Sequence, residues 1–214
     1  MRSIEEIREC LTNPGIIAVV RARDSSQVVP LTGALLDAEL IAVEITMTTP
    51  NALSAIREVR DHFGSKVLLG VGTVLDSETA KKAMDAGAEF VVSPIANTAL
   101  IEAAHLGGCP VMLGAYTPTE AQTAHELGAD FIKIFPADKL GPQYIRAIRA
   151  PLPHLRIIPT GGIDLNNALD FFKAGCVALG LGSSLVSAEI LRDADWAKLT
   201  ELARSYVAIA RSRA

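Results

Sequence analysis

The sequence is poor in the residues that mark several classes of protein. Cysteine occurs only at positions 10, 109 and 176 of 214 residues and never as a CxxC pair, so we predict neither a disulfide framework nor a structural zinc site. Positive charge is not in excess, because 20 Lys and Arg stand against 24 Asp and Glu. Nucleic-acid and anionic-membrane partners favour a basic surface, and we therefore expect neither.

Long apolar runs are also absent. The longest, such as ELIAVEI and CVALGLG, are far too short to span a bilayer. The first ten residues, MRSIEEIREC, contain acidic side chains and no apolar signal segment, which favours a cytoplasmic location. Aromatic residues make up 5% of the chain and hydrophobic residues 50%, so we expect a mainly aliphatic core.

Short aliphatic runs recur along the chain, and their starts lie about 20 to 27 residues apart. The runs are GIIAVVR (15–21), LIAVEIT (40–46), VLLGVGT (67–73), FVVSP (90–94), PVMLGAY (110–116), FIKIFPA (131–137), RIIPTGG (156–162) and VALGLGS (177–183). This distance fits one strand, one helix and short loops. Eight apolar strands alternating with helices favour a parallel sheet closed into a (β/α)8 TIM barrel, with a doubly wound sheet as the alternative.

The segments between these runs carry helix start signals. Thr117 and Glu120 have the spacing of a capping box, and Asp164 is the predicted N-cap of the segment DLNNALDFFKAGC. A further helix at residues 3–12 precedes the first strand, and we expect it to cover the bottom of the barrel. Since no linker or low-complexity tract interrupts the pattern, residues 1–214 are predicted to form a single domain.

Polar residues and glycines collect at the C-terminal ends of the predicted strands, where (β/α)8 enzymes have their active sites. The main candidates are Arg21, Glu44, Thr46, Thr48, Gly70–Thr73, Ser93, Pro94, Lys133, Thr160–Gly162 and Gly180–Ser184. Glycine-rich turns after strands 7 and 8, with serine hydroxyls beside them, are typical of a phosphate site. The four histidines fall in or just after helices, and no strand-end carboxylate pair exists, so we predict no metal site.

Lys133 stands between two isoleucines, with a phenylalanine beyond each of them, in a predicted buried strand. A lysine amine surrounded by apolar groups loses its proton more easily than one in water, and a neutral amine attacks a ketone to form a Schiff base. Glu44 would transfer protons in that chemistry, and Arg21 would hold an anionic group. Together they predict cleavage or formation of a carbon–carbon bond next to a ketone.

Each of these signals also has a structural explanation. Lys133 and Glu44 would then be only a buried ion pair, which stabilises a fold weakly. Arg21 would be a surface residue of the first loop, and the glycine motifs would be tight turns.

The motifs VEIT, GVGTV, SP, FIKIFPA, PTGG and GLGSSLV, taken together, resemble those of the 2-keto-3-deoxy-6-phosphogluconate (KDPG) and 4-hydroxy-2-oxoglutarate (KHG) aldolases. The resemblance runs from Gly15 to about Val186, with the motifs in the order of that family. It implies a class I, Schiff-base aldolase on a (β/α)8 barrel that forms a homotrimer and needs no metal or cofactor.

The resemblance also implies a role for individual residues. Lys133 resembles the Schiff-base lysine and Glu44 the general acid–base residue. The implied substrate-binding residues are Arg21, Thr73, Pro94, Phe135 and Thr160, and the implied phosphate-binding residues are Gly161, Gly162, Gly182 and Ser183.

One motif departs from the common pattern of the family. Many members read EVTLRT, whereas residues 44–49 read EITMTT and lack the arginine. Relatives that also lack it carry VLRA after the first strand, which resembles VVRA at residues 19–22. We therefore expect Arg21 to supply the missing cation.

The expected substrate is a phosphorylated keto acid. Thr160 is typical of enzymes for the gluconate compound, which predicts cleavage of KDPG to pyruvate and glyceraldehyde 3-phosphate. The KIFP and GPQYI motifs also occur in aldolases for its galactonate epimer, and cleavage of KHG to pyruvate and glyoxylate is a further alternative. A phosphosugar isomerase or decarboxylase with a protonated Lys133, and a phospho-ligand sensor without activity, are the alternatives outside the aldolases.

Overall fold

The fold is a barrel of eight parallel strands, described for residues 2–213 in a computed structural model. The strands are β1 (Ile16–Val20), β2 (Ala42–Thr46), β3 (Leu68–Gly72), β4 (Phe90–Val92), β5 (Val111–Ala115), β6 (Phe131–Ile134), β7 (Ile157–Pro159) and β8 (Leu179–Leu181). Neighbours in the chain pair in order, β1 also pairs with β8, and a bridge between Thr160 and Gly180 joins β7 to β8. The predicted (β/α)8 barrel is confirmed, and the doubly wound alternative is wrong.

Helices surround this barrel. They are α1 (Ile4–Thr12), α2 (Val28–Leu36), α3 (Ala52–Phe63), α4 (Ser77–Asp85), α5 (Ala99–Leu106), α6 (Pro118–Glu126), α7 (Gly141–Arg149), α8 (Ala168–Lys173), α9 (Ala188–Asp193) and α10 (Trp196–Arg211). Short 3-10 helices occur at Ser25–Gln27 and Gly64–Lys66. Among the helices of residues 2–213, none combines the length and apolar character that crossing a bilayer requires.

The capping residues of α6 and α8 differ in how they match the predicted helix starts. The capping box of α6 is confirmed: Thr117 Oγ1 accepts a hydrogen bond from the Glu120 amide at 3.3 Å, and Glu120 Oε2 accepts one from the Thr117 amide at 2.8 Å. The prediction for α8 is wrong, because Asn167 is its N-cap. The Asp164 carboxylate instead accepts from the Asn166 amide at 2.8 Å, and this Asx-type turn delays the helix by one turn.

The lower half of the barrel is filled by apolar side chains. Alternate residues of each strand face inward. The inner layer consists of Ala178, just before β8, and the strand residues Ile17, Ala42, Leu68, Phe90, Val92, Met112, Phe131 and Ile158. Ile7 and Leu11 of α1 are buried in the same cluster. The predicted helix at the bottom of the barrel is therefore confirmed, and it closes this end with an apolar plug.

Asp130 attaches this plug to the barrel. Its buried carboxylate accepts hydrogen bonds from Arg8 Nε at 2.7 Å, from the Val111 amide at 2.7 Å and from His105 Nε2 at 2.9 Å. Because Arg8 belongs to α1, the network holds the helix across the ends of β5 and β6. The bottom of the barrel is thus built for stability, which leaves the opposite end for function.

Candidate active site

Glycines at inward positions open the upper half of the barrel. A Cβ atom at Gly72 would lie 1.8 Å from Glu44 Oε1, and one at Gly180 would lie 2.2 Å from Thr160 Oγ1. A Cβ atom at Gly114 would meet the Pro94 carbonyl oxygen at 2.0 Å. Because these residues lack a side chain, polar groups from neighbouring strands and their loops occupy the space beside them.

Lys133 and Glu44 face each other in this space. Lys133 Nζ lies 3.6 Å from Glu44 Oε1, and their side chains are only 6% and 3% exposed. The Lys133 ammonium also lies 5.4 Å from the centroid of the Phe135 ring. The two groups meet because Lys133 is the inward residue of β6 opposite Gly114, where no side chain of β5 intervenes.

The Glu44 carboxylate is incompletely paired. At 3.6 Å its contact with Lys133 is too long for a hydrogen bond, and Oε1 is buried without a hydrogen-bond donor among residues 2–213. A buried acceptor of this kind costs free energy unless a donor is supplied. A hydroxyl group of a substrate or of water would be such a donor. A residue that transfers protons must make this kind of contact.

Thr73 follows Gly72 at the end of β3 in a strained backbone conformation. Its φ of +58° is in the left-handed region, which is an outlier for a β-branched residue. Hydrogen bonds on either side, from Met47 N to Gly72 O at 2.8 Å and from Val74 N to Val92 O at 3.1 Å, hold the turn in place. Such strain is concentrated at functional sites, which is consistent with a substrate-binding Thr73.

The turns after β7 and β8 lie side by side because Thr160 bridges to Gly180. Gly161 and Gly162 have φ values of +100° and +69°, and a Cβ atom at Gly162 would lie 2.4 Å from Asp138 Cα. Within residues 2–213, the amides of Gly162 and Ser183 donate to no backbone carbonyl. Unpaired amides in adjacent glycine turns form a concave donor surface that suits the oxygens of a phosphate.

The remaining predicted residues lie at the same end of the barrel. Arg21, just after β1, is exposed, but its Nε donates to Thr48 Oγ1 at 3.1 Å. Pro94 and Phe135 are half-buried, and Gly182 has open space where a Cβ atom would stand. The structure thus brings every predicted catalytic, substrate-binding and phosphate-binding residue to the C-terminal ends of the strands.

Two features of the site escaped sequence reasoning. One is the pairing of inward glycines with polar groups on neighbouring strands, for which the only signal was glycine at alternate positions, as at Gly70 and Gly72. The other is a set of threonine contacts between β2 and the end of β1, described below. Both depend on the register between strands, which the sequence of one strand does not contain.

A cavity of about 640 Å³ lies at the other end of the barrel, beside Asn13, Arg156 and Cys176. Its lining within residues 2–213 contains no carboxylate. Burial raises the pKa of the Cys176 thiol to about 12, so this group is a poor nucleophile near neutral pH. The side chains present therefore favour the end of the barrel at Lys133, and not this cavity, as the active site.

The four histidines lie in helices α3, α5 and α6 or in the turn after α7. His105 binds Asp130 near the plug, and the ring centroids of His125 and His154 are 4.8 Å apart. Over the described range 2–213, no cluster of three His, Cys, Asp or Glu side chains is arranged to hold a metal ion.

Comparison with known proteins agrees with this geometry. The sequence profile of the KDPG and KHG aldolases matches residues 7–202. The 2-dehydro-3-deoxy-6-phosphogalactonate aldolase of Escherichia coli K12 is 37% identical over 174 residues, which cover 81% of this chain and 85% of that protein. The 2-dehydro-3-deoxy-phosphogluconate aldolase of Treponema pallidum is 35% identical over 204 residues, which cover 95% and 97%.

A solved structure links the same fold to a covalent intermediate. The KDPG aldolase of Legionella pneumophila, with pyruvate captured as a covalent carbinolamine, has a TM-score of 0.84 and 26% identity to this chain. The match covers 94% of this chain and 97% of that one. With the family profile spanning most of the barrel and relatives above 30% identity along nearly the whole chain, the protein belongs to the KDPG and KHG aldolase family.

Proposed function

We propose that this protein is a class I aldolase that cleaves KDPG to pyruvate and glyceraldehyde 3-phosphate. The observation that carries the proposal is the buried Lys133 amine 3.6 Å from the Glu44 carboxylate, whose Oε1 has no donor within residues 2–213. A merely structural pair would gain more stability from full hydrogen bonding. An amine next to a proton-transfer group is what imine chemistry requires.

The reaction follows from these two residues. Neutral Lys133 Nζ attacks the C2 ketone to give a carbinolamine, and loss of water, with a proton delivered by Glu44, gives an iminium ion. Glu44 then accepts the proton of the C4 hydroxyl, the C3–C4 bond breaks, and its electron pair passes to the iminium nitrogen as an enamine. The aldehyde leaves, C3 takes a proton, and water releases pyruvate and free Lys133.

The rest of the site binds the two anionic ends of the substrate. We assign Arg21 and Thr73 to the carboxylate, because a guanidinium and a hydroxyl are both suitable donors. The turns at Gly161–Gly162 and Gly182–Ser183 hold the phosphate. Pro94, Phe135 and Thr160 line the space between these ends.

Thr160 favours the gluconate substrate. Its hydroxyl lies over Gly180, where a Cβ atom would be 2.2 Å away, and it offers a hydrogen bond that an apolar side chain would not. The 37% identity to a galactonate-type aldolase makes the epimer the second candidate. We expect the kcat/KM for KDPG to exceed that for the epimer, and Thr160→Val to reduce this preference.

Two substitutions test the mechanism in a coupled assay of pyruvate release. Lys133→Ala removes the nucleophile, so turnover should disappear. Glu44→Gln should still form the imine but should slow cleavage by about 10² to 10⁴, the usual contribution of a general acid–base group. Wild-type rates in either variant would contradict the assigned roles, and Thr123→Val on the exposed face of α6 is a matched control.

We also propose that the chain forms a homotrimer and acts in the cytoplasm. Exposed Leu75, Ile95 and Tyr116 lie on the loops after β3, β4 and β5 and offer an apolar surface for another copy. The loops after β3 and β4 are joined by a hydrogen bond from Asn97 Nδ2 to Leu75 O at 2.8 Å. Light scattering should give the mass of three chains, and Ile95→Asp should lower it.

A further inference from the structure

Three threonines at the end of β2 contact three consecutive residues at the end of β1. Thr46 Oγ1 donates to Val20 O at 3.1 Å. Thr48 Oγ1 accepts from Arg21 Nε at 3.1 Å, and Thr49 Oγ1 accepts from the Ala22 amide at 3.3 Å. We call this set Thr46, Thr48 and Thr49 the threonine clasp.

Counting protons fixes the direction of the hydrogen bonds in the clasp. Thr46 and Thr48 are joined by a contact of 2.9 Å between their Oγ1 atoms, in which either is a possible donor. A hydroxyl has one proton, and that of Thr46 goes to Val20 O. Thr48 must therefore donate to Thr46, and its oxygen is left to accept from Arg21 Nε.

The chain of hydrogen bonds ends in a buried anchor. Thr46 is 1% exposed, whereas Thr48 and Arg21 are exposed residues. The clasp uses only Nε of the guanidinium, and within residues 2–213 Arg21 Nη1 and Nη2 donate to no protein acceptor. The exposed Arg21 side chain is thus held by a hydrogen bond at one edge, with its other nitrogens available.

The position of Arg21 relates this free edge to the active site. Arg21 directly follows β1, and β1 pairs with β2, which carries Glu44, and with β8, which leads into the Gly182–Ser183 turn. Two adjacent guanidinium nitrogens match the two oxygens of a carboxylate. Fixing such a side chain before binding reduces the entropy lost in the complex.

We propose that the threonine clasp is a positioning device that holds Arg21 ready for the carboxylate of a 2-oxo acid substrate. This inference rests on the proposed aldolase function and deepens it. Thr48 and Thr46 are positioning residues, since they act through Arg21 and need not touch the substrate. The clasp makes affinity for the carboxylate depend on the hydroxyl groups of Thr46 and Thr48.

The first test compares Thr48→Val with Thr48→Ser. Valine has the shape of threonine but cannot accept from Arg21. We expect KM to rise about 5- to 10-fold, the value of one ordinary hydrogen bond, while kcat stays within about twofold. Serine keeps the hydroxyl and should restore KM. Thr200→Val, which removes a hydroxyl bonded to Ala34 O on the outer helices, is the matched control.

A double-mutant cycle separates positioning from a general structural role. In an Arg21→Ala background, Thr48→Val should have no further effect on KM, because the side chain that it positions is gone. Equal effects of Thr48→Val with and without Arg21 would overturn the proposal. An unchanged KM for Thr48→Val in the wild-type background would overturn it as well.

Trapping with pyruvate and borohydride distinguishes the failure of this proposal from that of the aldolase function. A wild-type protein that forms no adduct on Lys133 would contradict the proposed function itself. An adduct in the wild type and in Thr48→Val, with no change in the pyruvate concentration needed for half-maximal trapping, would contradict the clasp alone. We expect the variant to form the same adduct at a higher pyruvate concentration.

Discussion

The carboxylate of Glu44 occupies space that a side chain at residue 72 would fill. A Cβ atom at Gly72 would lie 1.8 Å from Glu44 Oε1 and 2.5 Å from the carboxylate carbon. Both distances are far shorter than van der Waals contact. The buried position of Glu44 beside Lys133 therefore depends on a glycine that lies three strands away from the lysine along the barrel wall. This dependence gives a direct test of the geometry.

Gly72→Ala should reduce activity without unfolding the barrel. The added methyl group must displace the Glu44 carboxylate from Lys133, so we expect kcat to fall about 100-fold, within the range for a general acid–base group. Steady-state kinetics with a thermal melt would measure both effects. Gly33→Ala is the control, because its Cβ atom would make only an ordinary contact of 3.6 Å with Phe63; equal kinetics in the two variants would show that Glu44 tolerates displacement.

Among single residues, the sequence predicted which polar groups lie at the C-terminal ends of the strands better than how these groups are arranged. Lys133 was recognisable because a charge in an aliphatic run is unusual, and Glu44 because it is the charged residue of the similar run LIAVEIT. The orphaned oxygen of Glu44 and the strain at Thr73 were not predictable, since both depend on atoms contributed by neighbouring strands. Asp164 was predicted to be the N-cap of α8, but its carboxylate accepts a local hydrogen bond that forms a turn before the helix begins.

At the scale of helices, the start of α6 is stabilised by an ionised side chain. Hydrogen bonds from the Tyr116 amide and from Thr117 lower the pKa of Glu120 below its ordinary value of 4.5. A carboxyl group whose pKa is lower in the folded state adds stability above pH 4.5, and this contribution is lost as the pH falls through the folded-state pKa. The capping box should therefore weaken in acid.

Glu120→Gln should reveal this dependence. Glutamine keeps an acceptor oxygen but cannot ionise, so the variant should melt below the wild type at pH 7. The difference between the two melting temperatures should shrink as the pH is lowered below 4.5. A difference that stays constant between pH 7 and pH 3 would mean that the charge of Glu120 does not stabilise α6.

The plug helix α1 makes a separate contribution to stability. Leu11 is 1% exposed within the inner apolar layer, so Leu11→Ala should lower the free energy of unfolding by about 2 to 5 kcal/mol. Because α1 covers the end opposite Lys133, kcat/KM of the folded variant should not change. Chemical denaturation and kinetics would measure both, with the exposed Glu9→Ala as control; a loss of activity in the folded Leu11→Ala protein would contradict this division of the barrel.

At the scale of the whole molecule, the closed barrel was predictable because eight aliphatic runs recur at the spacing of strand-helix units. Family membership was predictable from six motifs in a fixed order, and the profile match confirms it. The bounds of the strands were less accurate: the run at 156–162 yielded only Ile157–Pro159 as a strand. Glycines in its second half leave the ladder to form the turn that we propose binds phosphate, so composition alone overestimated the length of the strand.

The compact packing of the molecule should determine how fast each cysteine thiol reacts. Burial, with a smaller effect from the charge of Glu89, raises the pKa of Cys109 to about 12, and burial raises that of Cys176 to about 12. In the native protein at pH 8 we expect one fast-reacting thiol per chain, the half-buried Cys10, and three after unfolding. Rapid reaction of all three native thiols would contradict the buried positions.

The free energy of unfolding should also fall above pH 9, because the thiols ionise in the unfolded state and not in the folded state.

The proposed mechanism depends on a Schiff base at Lys133. The most direct measurement is to incubate the protein with pyruvate, reduce it with borohydride and map the modified peptide by mass spectrometry, with Lys139 as an internal control because it is an exposed lysine in the following loop. A reduced pyruvyl adduct on Lys133 alone is the predicted result. A folded protein without an adduct, or with one at Lys139 but not at Lys133, would contradict the mechanism.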